Sequence, residues 1–486
     1  MTPATLFAPA ARRTGLALLL GSALGLPLLA GAQVVTYKYV VTDLGTLGGS
    51  SANANGINSA GQVVGSSKTA GDTITRAFRT AANRAIVVAS DDLGTLGGDN
   101  SFGTSINASG QVAGSADTAS AGPFGSVVRR AFRADPGAPM IDLGTLAPLG
   151  GANGFNNSGA NALNDGANVV GFATVPEGCA SSSHAFRTFP NQPISPTLSN
   201  LGTLVPAPFL NCRSSTAYGV NSLSMVVGDS ATTFATGFPN HAFRWTVAGG
   251  MIDLGTLGGR DSTAYAVNDR GEIVGGSKLP QDLVNNPFDS PHAFLAAGAF
   301  MVDIGTLGGT YSTAYAINSR DPLDSQIVGD ASTTGDAAFH GFLYTGNVFG
   351  GGSMVDLNSR IAAGSGWEIV AARGLNDKGQ IVGSAWRGGV RFVAHAVRLD
   401  PSDVAVNVLV ASLGDASLGL TSGQIASFTD KLQSAYNSIR AGLNKQATNQ
   451  LNALVNAVDT ALRKGKLSAS SAATLTAAAN AIIAVL

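Results

Sequence analysis

The sequence predicts an all-β fold, a seven-bladed β-propeller, with a small α-helical bundle at its C-terminal end. Three observations predict it. The phrase Asp43-Leu44-Gly45-Thr46-Leu47-Gly48-Gly49 returns unchanged at residues 92–98 and 253–259, and with Ile for Leu at 303–309. A longer unit of about 50 residues surrounds it and recurs seven times between residues 35 and 400. After Asp400-Pro401 the composition changes and apolar residues take up helical spacing.

Each unit contains four short phrases, seen in full in the fifth: Met251-Ile252-Asp253-Leu254-Gly255, then Ser262 to Asn268, then Gly271-Glu272-Ile273-Val274-Gly275, then His292-Ala293-Phe294. The asparagine of the second phrase recurs at 58, 107, 164, 221, 268, 318 and 376, and the glycine closing the third at 65, 114, 171, 228, 275, 329 and 383. The fourth phrase ends in Phe78, Phe132, Phe186, Phe243, Phe294 and Phe342, with Val397 in the last unit. Phrases of four to six residues, rich in β-branched and aromatic side chains and bounded by Gly, Asn, Asp or Ser, predict four short strands per unit. The stretches Asn58–Gly61, Asn107–Gly110 and Asn268–Gly271 predict hairpin turns, because Asn and Gly tolerate positive φ. One such sheet cannot bury its own faces, so neighbouring units must stack. Four strands per unit suit propeller blades, whereas a parallel β-helix would use shorter coils.

The glycine-rich phrase has a second reading as a phosphate-binding loop. Such a loop follows a strand and opens a helix. Here the phrase leads into another strand and returns at blade spacing. Its glycines are therefore read as a sharp connection, and its Asp as an acceptor for turn N–H groups.

Composition narrows the function. Among 486 residues only 12% are charged, 44% are apolar, and the formal net charge is −1. That balance gives no long-range attraction to nucleic acid or to an anionic membrane. Residues 1–32 read as a signal peptide: Arg12 and Arg13 precede an apolar run, and Ala30-Gly31-Ala32 has the small-x-small form of a cleavage site. Cleavage near Ala32 predicts a secreted, extracellular or periplasmic protein, and no later stretch is apolar enough for a membrane span. In such a compartment the two cysteines, Cys179 and Cys212, are expected to form a disulfide.

The last segment, residues 401–486, predicts a three-helix domain. Ile425, Phe428, Leu432, Tyr436 and Ile439 share one helical face. Leu451, Leu454, Val455, Val458 and Leu462 share another, and Leu475, Ala479, Ile482 and Ile483 a third. Gly442 and Gly465 fall where helices end.

The combination D-L-G-T-L-G-G, I-N-x-x-G-Q-V-V-G and H-A-F resembles the HAF repeat of probable extracellular bacterial proteins. That resemblance covers about three quarters of the chain and implies export, but carries no activity with it. Unit three departs by inserting Ala147-Pro148-Leu149-Gly150, unit four has Asn200 for the Asp, and unit seven lacks Gly-Thr-Leu-Gly-Gly. The C-terminal segment looks like the FIMAH-type helical module of secreted bacterial proteins.

A search for chemistry assigns no catalytic, cofactor-binding or metal-ligating residue and no cofactor. All five histidines, His184, His241, His292, His340 and His395, stand in the fourth phrase, where Arg76 and Arg130 hold the register in the first two units. Propeller rotation spreads such a register around a ring, which suits hydrogen bonding or packing better than one zinc site. Glu272 shares its register with Gln62, Gln111, Gln326 and Gln380, so an exposed strand position is expected. No carboxylate pair or Ser–His–Asp set stands apart from the repeat. The reading is a secreted, non-enzymatic propeller that binds or scaffolds an unidentified protein or glycan. The alternative is an extracellular hydrolase or lyase with its site at the channel mouth. Polar residues that break the repeat on one face would discriminate, and the inserted stretches Glu177–Cys179 and Pro206–Arg213 are the first place to look.

Overall fold

In a computed structural model, which describes residues 38–122, 125–147, 156–175, 182–205, 214–232, 239–280, 290–319 and 325–486, the phrases assemble into seven antiparallel sheets. Six have four strands and one has three. In the fifth blade, Ser262–Val267, Ile273–Ser277, His292–Ala297 and Phe300–Asp303 pair consecutively from the channel outward. The outer strand ends at Asp303, which opens the first phrase of the sixth repeat unit. Every unit thus lends its first phrase to the blade before it. The count of seven stands, but blade boundaries are shifted by one strand relative to the repeat.

That shift closes the ring. Tyr39–Asp43 pairs antiparallel with Val390–Pro401, Tyr39 opposite Pro401 and Asp43 opposite Val397, and so becomes the outer strand of the seventh blade. In the first blade (Gly48–Ile57, Val63–Thr69, Thr75–Arg79) the outer position holds a short helix, Val88–Asp91, and a single bridge between Phe78 and Asp92.

Each repeated residue has one geometric duty. Asp303 Oδ1 accepts the Gly305 N–H at 2.7 Å and turns the chain toward the next inner strand. The same contact recurs at Asp43, Asp92, Asp142, Asn200, Asp253 and Asp356, from the residue two places on. Ser262 hydroxyl donates to the Gly255 carbonyl at 2.6 Å and accepts the Ala242 N–H of the fourth blade at 2.8 Å, so it fastens one blade to the next. At Gly275 a Cβ would collide with the Thr263 carbonyl oxygen and the Phe294 ring. That carbonyl is turned toward the glycine by a bulge in the inner strand, where the register skips Tyr265 between Ala264 and Ala266. All seven inner strands are bulged at this place.

The buried asparagines complete the ring. Nδ2 of Asn58 donates to the carbonyl of Asn107, which passes the contact to Asn164, Asn221, Asn268, Asn318, Asn376 and back to Asn58, at 2.8–3.2 Å throughout. Each Oδ1 also accepts the N–H that restarts its own hairpin, as from Glu272 to Asn268 at 3.0 Å. Glu272 corrects the expectation of an exposed position. It is half-buried, its Oε2 accepts from Asn268 Nδ2 at 2.6 Å, and hydrogen bonds from Ser325, Asn268 and Arg270 hold its carboxyl below the usual range against the upward push of burial. Gln62, Gln111, Gln326 and Gln380 hold their asparagines in the same way.

After Pro401 come four helices where the sequence predicts three: Ser402–Ser412, Ser422–Arg440, Asn444–Arg463 and Ala469–Ile483. The additional first helix reads Val-Ala-Val-Asn-Val-Leu-Val at 404–410, an alternation with strand-like period and β-branched residues. Packing overrides it, since Val406 and Leu409 join Leu432, Leu454 and Leu475 in one apolar cluster. The second helix opens with a capping box between Thr421 and Gln424. Val40 of the closing strand packs against the same cluster, and Ser402 N–H donates to the Lys38 carbonyl at 3.0 Å. No helix among the described residues is long and apolar enough to cross a membrane. The leader lies outside the described residues.

Two outcomes follow for stability. Asn221→Ala strands the Met225 N–H and the Asn268 carbonyl, and should lower the unfolding free energy by about 2–4 kcal/mol in denaturant titration. Ala167 occupies a turn position at φ 59° that glycine fills in other blades, so Ala167→Gly should stabilise by about 0.5–1 kcal/mol in the same assay.

Candidate functional site

The inner strands enclose a channel with two unlike ends. At the hairpin end a cavity of about 300 Å³ is bounded by the asparagine ring and by Asp165, Asp269 and Asp377. These carboxylates accept backbone N–H groups of the adjacent blade, from Ala108, Ser222 and Ser319, so they serve the ring. An apolar collar, including Ile57, Ile106, Val220, Val267 and Leu375, borders this cavity and a second one above it.

The second cavity, of about 350 Å³, sits at the bulge. A bulge frees its extra residue from the ladder and re-aims the side chain. The seven bulged residues are Asn55, Thr104, Asn161, Tyr218, Tyr265, Tyr315 and Arg373, and all of them line the cavity. Here the repeat breaks. On one wall Asn55 Nδ2 donates to the Gly103 carbonyl at 2.8 Å, Thr104 Oγ1 to the Ala160 carbonyl at 3.0 Å and Asn161 Nδ2 to the Ala217 carbonyl at 2.8 Å. On the other wall three tyrosines form an arc. The rings of Tyr218 and Tyr265 lie 5.1 Å apart at 56°, and those of Tyr265 and Tyr315 5.1 Å apart at 51°. The Arg373 guanidinium covers Tyr315 at 3.9 Å from the ring centre.

Two aspartates stand behind this wall, on the second strands. Asp229 pairs across its blade with Thr216 and Asp330 with Thr313, which puts both on the glycine-phrase side of the bulge, away from the hairpin end. Burial pushes the Asp229 carboxyl up to about 6, only partly opposed by the Asn240 hydrogen bond. Burial also raises Asp330, against the pull of Arg373 3.9 Å away. Its Oδ1 is buried with no hydrogen-bond partner. Tyr265 is pushed up to about 12 by burial and then by the Asp229 charge, and Tyr218 and Tyr315 rise for like reasons. The tyrosines are therefore neutral donors at any physiological pH, while burial holds the Asp229 carboxyl well above the usual carboxylate range.

The residues singled out in the sequence lie elsewhere. Each histidine bonds within its own blade to the Asp or Asn of the outer strand: His184 to Asn200 at 3.1 Å, His241 to Asp253 at 2.9 Å, His292 to Asp303 at 2.8 Å, His340 to Asp356 at 2.7 Å and His395 to Asp43 at 3.2 Å. The last of these links the closing strand to the ring. Cys179, Cys212 and the inserted stretches Glu177–Cys179 and Pro206–Arg213 lie outside the described residues. The tyrosine arc, Arg373, Asp229 and Asp330 were not foreseen. Their signal is present, since the residue before the second apolar pair of the second phrase is Tyr in three consecutive units and Arg in the seventh.

No family model matches the chain, so the HAF and FIMAH resemblances gain no support there, and no curated protein matches it. Among solved structures the chain is similar to a gluconolactonase of Xanthomonas campestris, at 11% identity over 44% of this chain and 68% of that one, with a TM-score of 0.23. The architecture itself defines the class: a seven-bladed β-propeller with a C-terminal helical module.

One pH effect follows from the His–Asp pairs. The hydrogen bond to Asp356 raises His340 above 6.5. Asp356 is held below 3.8 by His340 and Asn358 although burial pushes the other way. The pair therefore stabilises the fold fully between those two values; the histidine part fades as pH rises through its raised folded value, the carboxylate part as pH falls through its lowered one. Compared with His340→Gln, the native thermal midpoint should be higher at about pH 5 and the gap should close by about pH 9.

Proposed function

We propose that the protein is a non-enzymatic binding propeller that holds a glycan in the channel cavity at the level of the bulges. One observation carries this reading: at the bulged register the repeat is broken by three adjacent tyrosines, with amide and hydroxyl side chains on the facing wall. Flat apolar ring faces suit the C–H faces of a sugar, and half-buried amides, hydroxyls and carboxylates suit its hydroxyl groups. The cavity volume falls in the range of small-ligand sites, about 300–1,000 Å³.

Export belongs to the same reading. A leader cleaved near Ala32 would deliver the chain to an oxidising compartment, where Cys179 and Cys212 pair. Closing a loop of about 34 residues would stabilise the fold by about 3–4 kcal/mol on the chain-entropy account. The second reading, a hydrolase or lyase at this cavity, draws on Asp229 and Asp330, since buried carboxyls raised toward neutrality are what acid–base chemistry employs.

A glycan array probed with the mature chain separates the readings. Tyr265→Ala should lower the affinity for captured glycans about tenfold, the range expected for losing one aromatic contact, while the protein stays folded, the loss of its two ring–ring contacts costing about 1–3 kcal/mol of stability. Unchanged binding in this variant would place the ligand elsewhere, and shortened glycan products in the native reaction would favour the enzyme. Thiol titration of unreduced, denatured protein should find no free cysteine.

A further inference from the structure

Blades four and six carry the same pair at the same two registers. In blade six Tyr315 is the bulged residue and Asp330 follows Gly329; in blade four Tyr218 is bulged and Asp229 follows Gly228. Blade seven completes the first pair with a cation. Arg373 stacks on Tyr315 at 3.9 Å and stands 3.9 Å from Asp330 Oδ2. Blade five offers blade four another aromatic ring instead, Tyr265. No Lys or Arg pairs with Asp229 among the described residues; it accepts from Asn240 Nδ2 at 3.1 Å and otherwise feels the like charge of Asp261, which is engaged by Lys278.

A half-buried carboxylate thus stands close to two electron-rich rings that line the cavity, near enough that its charge raises both hydroxyls, and no Lys or Arg among the described residues pairs with it. The ring quadrupoles and the carboxylate both attract a cation, and partial desolvation strengthens each attraction. The chain's own guanidinium fills the sister position. We propose that the place between Tyr218, Tyr265 and Asp229 receives an ammonium group of the ligand, and, resting on the glycan reading above, that this ligand is a polymer of amino sugars with free amines. A neutral or N-acylated sugar would leave Asp229 uncompensated, whereas a protonated amine supplies to blade four what Arg373 supplies to blade six.

The cation position is tested first without any glycan. The Asp229 carboxyl is followed by NMR titration in ethylammonium chloride and in sodium chloride of equal strength. Its midpoint, about 6 in the free protein, should fall in ethylammonium and stay in sodium; equal midpoints overturn the proposal. The ligand class is tested with a glucosamine tetramer and its fully N-acetylated counterpart. The free-amine tetramer should bind at least about tenfold tighter at neutral pH, and Asp229→Asn, which keeps the Asn240 contact and the thermal midpoint, should erase that preference. Equal affinities, or a preference that survives Asp229→Asn, overturn the amino-sugar assignment while leaving the glycan reading intact. Failure of both tetramers to bind, with the ethylammonium shift present, would overturn the glycan reading and the amino-sugar assignment together.

Discussion

A circle of seven hydrogen bonds, each from an asparagine Nδ2 to the carbonyl of the next asparagine, is the constraint on which the rest of this structure depends. A single bond of this kind contributes only about 1 kcal/mol net. Its force lies in burial, because an opened member leaves a donor and an acceptor with no water to turn to. The link from Asn376 to Asn58 joins residues 318 positions apart, so the circle forms only when the last blade meets the first. The same event seats Tyr39–Asp43 on the seventh blade and draws Val40 against the helices. Ring closure and helical docking therefore share one strand in the native structure.

The circle also fixes the depth of every inner strand, and so sets all seven bulges at one level. Each bulge turns a carbonyl onto the strand behind it, which is why that strand carries a glycine in every blade. The bulged side chain is released from the ladder at the same register in every blade. In the first three blades it still reaches across to the next blade, through Asn55, Thr104 and Asn161. In the next three it is tyrosine, and the cross-blade hydrogen bond is replaced by ring–ring contacts of about 0.5–1.5 kcal/mol each. The exchange is near neutral for stability. What changes is the surface offered to the channel, from amides already engaged to aromatic rings that line the cavity.

Strand number, blade number and the turn duty of the repeated Asp were legible because each has one geometric cause that recurs. Asp303 is required by a turn N–H; Gly275, required by a carbonyl, and Ser262, required by the neighbouring blade, stood in the sequence only as repeats. The blade phase was not legible. Adjacency in sequence joins the first phrase to the second, while strand pairing joins it to the fourth phrase of the preceding unit, as Asp303 opposite Phe294 illustrates. Pairing of His292 with Asp303 was the available clue, a charged partner lying one unit on. Glu272 was misjudged because alternation along a strand says nothing of an asparagine folded back beneath it. The helix at 402–412 was hidden by valine alternation. The site escaped because Tyr265 looks like an ordinary strand residue until the bulge that displaces it is known.

The channel is one-sided as well as layered. Ile57, Ile106, Val220, Val267 and Leu375 border both of its cavities. The cavity at the bulge is asymmetric about the axis, since the tyrosines and Arg373 occupy one wall, with both raised aspartates on the strands behind, while the amides occupy the other. In a chain with only 12% charged residues, this concentration of ionisable groups away from water is where binding of a ligand would be coupled to protonation. A ring built for sevenfold regularity thereby yields a one-sided pocket, because closure fixes the position of the bulged register but not the identity of its side chains.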